Sequence, residues 1–127
     1  MAKYSLKKKE ILSGKKQIAG LFDSGKSLYR YPLKVFFKFT SIYSANHSNV
    51  LFGVSVSKKK FRKAHERNLL KRRIRESYRL NKYELLDNIE SNTQLYFMFV
   101  FIGNKIENYN TINRSLLYLL SKLLNEK

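Results

Sequence analysis

Cysteine is absent from this chain of 127 residues, which excludes a disulfide framework and a thiolate metal site. Proline occurs once and glycine five times. Because no stretch rich in Pro, Gly and Ser marks a linker, residues 1–127 are expected to form one domain, with 1–10 as a flexible basic arm. The longest apolar run, Leu95 to Ile102, is too short to span a membrane, and the basic amino end lacks a signal-peptide core. These absences predict a soluble, cytoplasmic protein.

Histidines and carboxylates are also scarce, with two His and nine Asp or Glu against 26 Lys or Arg. A nuclease that acts alone needs clustered carboxylates for metal ions or histidines for acid–base work. His47 lies in a polar stretch, and His65 lies in a basic block where phosphate contact is its more ordinary role. Glu84, Asp87 and Glu90 share helical spacing, which is typical of a solvated helix face. The sequence therefore predicts no catalytic residue, no metal ligand and no cofactor bound by the protein itself.

The net charge of +17 is concentrated in one part of the chain. Residues 1–30 carry eight basic and two acidic side chains, and residues 31–57 carry two and none. Residues 58–79 carry eleven and two, whereas residues 80–127 carry five of each sign. A neutral third beside a dense basic block indicates a polyanion-binding face rather than a uniformly basic surface.

The hydropathy pattern predicts an α+β fold. Segments 33–39 and 50–57 alternate as half-buried strands do, and 95–102 is apolar throughout, as in a strand buried on both faces. The polar residues between the first two of these strands predict a loop. Near the end of the sequence, apolar residues at helical spacing predict a last helix. The predicted helices are 15–22, about 63–80, a short one at 83–89, and a last one around 112–123. The order helix, two or three strands, helix, strand, helix predicts a sandwich of one small sheet and packed helices.

The helix within the basic block carries the functional prediction. On a helical wheel Leu70, Ile74 and Ser77 fall together and face the core. The opposite side gathers, within about 60°, Asn68, Arg72, Arg75 and Arg79. Guanidinium groups bind phosphate oxygens bidentately and stack on bases, and Glu76 is spaced to hold the forks of Arg72 and Arg79. Because eleven cations of this block repel one another unless a polyanion is present, an RNA-binding ridge is favoured over a solvated face.

Phe36 lies between Lys34 and Lys38 on the polar face of its predicted strand. An exposed aromatic ring between cations can stack on single-stranded nucleic acid. A helix over the same face would instead make Phe36 part of the core, and the pattern leaves both possibilities open. The same question applies to Tyr29 and Phe22, with core packing favoured for Phe22.

The basic block resembles the arginine-rich signature of the bacterial ribonuclease P protein component. The matching residues are Lys59, Lys60, Ala64, Arg67, Asn68, Lys71, Arg72, Arg75, Glu76 and Arg79. The order of elements also matches that family, and Phe22 followed by Gly25 matches the end of its first helix. The resemblance therefore covers most of the chain.

This resemblance implies an α+β sandwich of ribosomal-protein-like type with a left-handed βαβ crossover. It implies a protein subunit that binds a large catalytic RNA and the 5′ leader of precursor tRNA and supports removal of that leader. The catalytic core and the Mg²⁺ sites would belong to the RNA, with no obligate protein partner and no membrane involved. Carried over by position, the RNA-binding ridge would be Arg67, Asn68, Lys71, Arg72, Arg75 and Arg79, and the leader cleft would contain Phe22, Phe36, Lys59 and Lys60. Lys34 and Lys38, which flank Phe36 on its strand, complete the predicted leader cleft.

Three departures from the family pattern accompany the match. Ile18 stands where many members have an aromatic cleft residue, Phe61 and Arg62 replace a small step after the lysine pair, and His65 replaces an aliphatic residue.

A ribosomal or other structural RNA-binding protein remains the alternative, because charge and composition fit it equally well. A DNA-binding helix-turn-helix is disfavoured because the basic helix follows a strand, and a membrane-surface helix because the apolar face is needed for the core.

Overall fold

A computed structural model describes residues 25–41, 50–88 and 93–125. The elements in chain order are the strands β1 (Lys26–Arg30), β2 (Leu33–Ser41) and β3 (Val50–Val56), the helix α1 (Ala64–Leu86), the strand β4 (Thr93–Phe101) and the helix α2 (Tyr109–Asn125). The predicted helix 15–22, its Phe22 and Ile18, and the arm 1–10 lie outside the described residues.

The four strands form one sheet in the order β1-β2-β4-β3. β2 pairs antiparallel with both β1 and β4, whereas β3 pairs parallel with β4. Parallel neighbours need a crossover, which α1 provides here between β3 and β4. This β3-α1-β4 unit is the one that the resemblance implies to be left-handed.

Both helices lie over the same face of the sheet, α1 against β3 and α2 against β1 and β2. The strand residues that alternate towards them are buried, as the period-two pattern of β2 and β3 predicts. Across this interface the ring of Phe52 stacks on that of Tyr78, with 4.2 Å between ring centroids. The predicted α+β architecture is confirmed, and the main core lies between the sheet and the two helices.

A polar network fixes how α1 is rotated against α2. Leu70, Ile74 and Ser77 are buried, as the helical wheel predicts. The Ser77 hydroxyl donates to Oδ1 of Asn113 at 2.7 Å, and Nδ2 of Asn81 donates to the same oxygen at 3.2 Å. Because buried polar groups need partners, this arrangement favours one rotation of α1 and so determines which side chains face outwards.

The structure differs from the pattern at two places. The separate short helix expected at 83–89 is wrong, because α1 continues to Leu86 through buried Lys82 and Leu85. The sequence pattern predicts two or three strands before the basic helix, and β1 is the optional one. Its residues are mostly exposed, and its position depends on pairing with β2 rather than on an apolar pattern. Within the described ranges no helix is long and apolar enough to cross a membrane.

Candidate nucleic-acid interface

A groove of about 550 Å³ runs along the outward face of α1. Its lining residues are His65, Asn68, Leu69, Arg72, Arg75, Glu76 and Arg79. The four residues that the helical wheel gathered on one side therefore do share one concave surface. The groove is open to solvent on the side away from the sheet, because the opposite side of α1 carries the buried stripe.

One acid lies among the cations of the groove. Glu76 accepts hydrogen bonds from Nε of Arg79 at 3.2 Å and from Nη2 of the same guanidinium. The hydrogen bond from Arg79 lowers the pKa of the Glu76 carboxyl, although partial desolvation opposes this, and the same bond raises the pKa of Arg79. Glu76 thus stays ionised at neutral pH and orients the fork of Arg79, whereas sequence spacing also allowed a pair with Arg72.

Arg72 and Arg75 are both exposed. Within the described part of the chain, no hydrogen bond or ion pair engages either guanidinium. Each therefore presents its donors to solvent, where a phosphate oxygen would replace water. Together with Asn68, which is also exposed, they are accessible to a ligand that enters the groove.

Arg67 is placed differently from the other ridge residues. Its Nη1 donates to the backbone carbonyl oxygens of Phe61 at 2.7 Å and Arg62 at 2.9 Å. Arg67 thus ties the loop before α1 to the first turns of the helix, and neither it nor the half-buried Lys71 lines the groove. Phe61 departs from the small residue of the family pattern, and packing explains this difference. Its ring is buried, with 5.7 Å between its centroid and that of the Phe101 ring.

The second face of the sheet carries Lys34, Phe36 and Lys38, as the alternation of β2 requires. Phe36 is half-buried in a small apolar cluster, and Nζ of Lys34 lies 5.0 Å from its ring centroid. The other members of this cluster are Leu51, Tyr96, Met98 and Val100. The ring therefore packs on its neighbours and keeps part of its surface exposed. This position fits a core role and a stacking role alike.

Lys59 and Lys60 lie in the loop that follows β3, and both are exposed. Their backbone N–H groups donate to the Ser57 hydroxyl at 3.2 and 3.4 Å, which fixes the turn. Nζ of Lys60 donates to the carbonyl oxygen of Ile102 at 3.0 Å, just past the end of β4. Because Val100 of β4 is the cross-strand partner of Lys34, these lysines lie at the same end of the sheet as Lys34. Phe22 lies outside the described residues.

The described residues contain no group of three or more His, Cys, Asp or Glu side chains that could hold a metal ion. Glu84 and Asp87 are exposed near the end of α1, and His65 is exposed at the groove. His47 and Glu90 lie outside the described residues. What the described surface offers chemically is donors and positive charge, which bind and orient an anion.

Comparison with known proteins gives a consistent result. The family model described as Ribonuclease P matches residues 6–124. The "Ribonuclease P protein component" of Porphyromonas gingivalis (strain ATCC 33277) is 37% identical over 117 residues, covering 91% of this chain and 83% of that protein. The corresponding protein of Chlorobium phaeobacteroides is 45% identical over 84 residues, covering 64% of this chain and 56% of that protein.

Solved structures agree in fold. The RNase P protein of Thermotoga maritima superimposes with a TM-score of 0.67 at 27% identity, covering 89% of this chain and 96% of that one. The RNase P protein of Staphylococcus aureus gives a TM-score of 0.69 at 21% identity, covering 90% and 94%. At that identity the second likeness supports the fold alone.

Proposed function

Because this chain belongs to the ribonuclease P protein family and is thus the protein subunit of that endoribonuclease, we propose that the α1 groove binds the RNA subunit and that the second face of the sheet binds the 5′ leader of precursor tRNA. Family membership implies association with the RNA subunit. The assignment of each surface to one RNA is the proposal.

The observation that carries the proposal is the clustering of Asn68, Arg72, Arg75 and Arg79 in one groove. Folded RNA brings phosphates close together, and guanidinium forks reduce their repulsion while binding two oxygens at once. The Glu76–Arg79 pair lowers the entropy lost on binding, since that fork is already oriented. Arg67, which holds the adjacent loop, would act on this surface by positioning it.

The leader proposal depends on the cations around Phe36. Lys34 and Lys38 flank it on the strand, and Lys59 and Lys60 lie at the same end of the sheet as Lys34. A single strand could stack a base on the exposed part of the Phe36 ring while its phosphates meet these lysines. Phe22, which the family resemblance adds to the cleft, lies outside the described residues.

The hydrolysis itself is proposed to be carried out by the RNA subunit with its Mg²⁺ ions, in the cytoplasm and without an obligate protein partner. Support for this division comes from the side chains, which offer cations and amides but no clustered acids or histidines in the described ranges. The protein would contribute by binding substrate and by neutralising phosphates. Both effects lower the Mg²⁺ concentration that the RNA needs.

The test is reconstitution of the full chain with a ribonuclease P RNA at low Mg²⁺, with precursor-tRNA cleavage as the measurement. The expected result is cleavage at the mature 5′ end that the RNA alone does not reach at the same Mg²⁺ concentration. A ribosomal or other structural RNA-binding protein would bind the RNA without restoring cleavage. That outcome would overturn the proposal.

A further inference from the structure

The outward face of α2 carries a stripe of its own. Arg114, Tyr118 and Lys122 follow one another at intervals of four residues, so they share one side of the helix. All three are exposed, whereas the opposite side holds the buried residues Ile112, Ser115, Leu116, Leu119, Leu120 and Leu123. This stripe belongs to neither surface assigned above.

The stripe is positive although residues 80–127 are neutral in sum. Neither α2 nor the adjacent β1 contains an acidic residue. Of the acids in this third of the chain, Glu84 lies on α1 and Asp87 is the residue that follows its last turn. Glu107 precedes α2, and its carboxylate accepts a hydrogen bond from the Tyr31 hydroxyl at 3.4 Å. Its backbone carbonyl oxygen accepts a hydrogen bond from Nη1 of Arg73. Among the described residues, the stripe itself therefore contains cations and no acid. Glu90 and Glu126 lie outside the described residues.

Two cations meet at the exposed ring of Tyr118. Cζ of Arg30 lies 4.6 Å from the ring centroid and Nζ of Lys122 lies 5.5 Å from it. The backbone of β1 is held in place because the Ser115 hydroxyl donates to the carbonyl oxygen of Arg30. A cation–π contact at an exposed site contributes only about 0.5–1 kcal/mol, so two like charges beside one ring form a site that an anion would stabilise further.

This site adjoins the proposed leader surface around the edge of the sheet. Tyr29 is the cross-strand partner of Lys34, so its side chain lies on the second face, where it is 67% exposed. The next residue, Arg30, points to the helix face. A row of cross-strand partners crosses the sheet from Ser55 of β3 through Val100 and Lys34 to Tyr29. Because neighbouring strands lie about 4.8 Å apart, this row is about 14 Å long.

We propose that Arg30, Tyr118 and Lys122 form a second site for single-stranded RNA and that its occupant is the distal part of the 5′ leader. A leader that crosses the sheet along the row ending at Tyr29 reaches the β1 edge, where Arg30 and Lys122 bind its phosphates. Arg114 extends the same charge along α2. This inference rests on the proposed leader surface and adds to it a length dependence.

The test compares the double variant Arg30→Gln/Lys122→Gln with the control Lys105→Gln, an exposed lysine in the loop before α2. Each full chain is assembled with ribonuclease P RNA, and binding of precursor tRNA is measured with a short leader and with a long one across a salt series. The variants exchange exposed side chains for amides, and thermal unfolding checks that each remains folded.

The expected result is a loss of affinity of about fivefold per phosphate contact at about 0.1 M salt, and a salt slope shallower by about 0.7 per contact. Both changes should occur for the long leader alone, with short-leader binding, RNA-subunit binding and Lys105→Gln unchanged. Equal losses for both leaders, weaker RNA-subunit binding, or no change at all would each overturn the inference. If the proposed leader surface itself were wrong, Phe36→Ala would also leave leader binding unaffected. That result distinguishes its failure from a failure of the second site.

Discussion

Ser77 on α1 and Asn113 on α2 are joined by a hydrogen bond of 2.7 Å across the helix interface. The same Asn113 oxygen also accepts from Asn81, so one side chain serves two donors of the neighbouring helix. Because Ser77 lies on the side of α1 opposite the groove, this contact helps to keep α1 in the rotation that exposes the groove residues to solvent. Function on one face of the helix thus depends on a polar contact on the other.

Asn113→Ala should lower the free energy of unfolding, because it removes the acceptor of two donors, one of them on the buried Ser77. A loss of about 1–3 kcal/mol is expected for a buried donor left without its partner. Urea denaturation measures it, with Asn110→Ala on the exposed side of α2 as the matched control. Equal stability of the two variants would show that the network does not hold the helices together.

Arg72→Ala and Arg75→Ala should each reduce both the affinity for ribonuclease P RNA and its dependence on salt. Both guanidiniums are exposed at the groove, and each phosphate contact contributes about 0.7–0.9 to the log–log salt slope. Filter binding across a salt series measures both quantities. The groove would lose its assigned role if neither variant changed the affinity or the slope.

Arg67→Ala should behave differently from the groove variants. Its Nη1 is bonded to the Phe61 and Arg62 carbonyl oxygens, so its loss should loosen the loop before α1. We expect lower thermal stability and a salt slope close to that of the wild type. A slope reduced as much as in Arg72→Ala would instead assign Arg67 to direct phosphate contact.

Arg79→Gln should raise the pKa of Glu76 towards its ordinary value of 4.5, because the hydrogen bond from Arg79 is the main cause of its lowering. The pair stabilises the fold above the unfolded-state pKa of Glu76, and this contribution is lost as the pH falls through the lower folded-state pKa. The effect on stability should be small, since both side chains are partly exposed. NMR titration of the Glu76 carboxyl checks the shift. An unchanged pKa would contradict the pairing.

Phe36→Ala should weaken binding of leader-bearing precursor tRNA far more than binding of mature tRNA, because only the precursor has bases to stack on this ring. Base–aromatic stacking contributes about 1–3 kcal/mol per base, or about fivefold to 150-fold in affinity. Phe39→Ala is the matched control, since Phe39 lies on the same strand but packs against the main core. Equal losses for both tRNAs would make Phe36 a core residue.

Much of the groove could be predicted from sequence because helical periodicity is a local property. The apolar stripe through Leu70 and Ile74 determined which face of α1 is buried, and the like charges on the other face indicated a polyanion. The resemblance of the block from Lys59 to Arg79 added the family. The role of Arg67 could not be seen, because its acceptors are loop carbonyls whose positions depend on how Phe61 packs on β4.

The amino-acid sequence by itself determined the α+β class, the buried faces of the strands and the cationic side of α1, since each follows from the spacing of residues along one element. Tertiary structure alone decided that β1 is an edge strand, that Arg73 is bonded to the backbone of Glu107, and that Arg30 meets Tyr118. The Arg73–Glu107 bond joins residues that are 34 positions apart in the sequence, and the Arg30–Tyr118 contact joins residues that are 88 positions apart. Pairing over such separations depends on how the whole sheet and both helices pack, which no local pattern encodes.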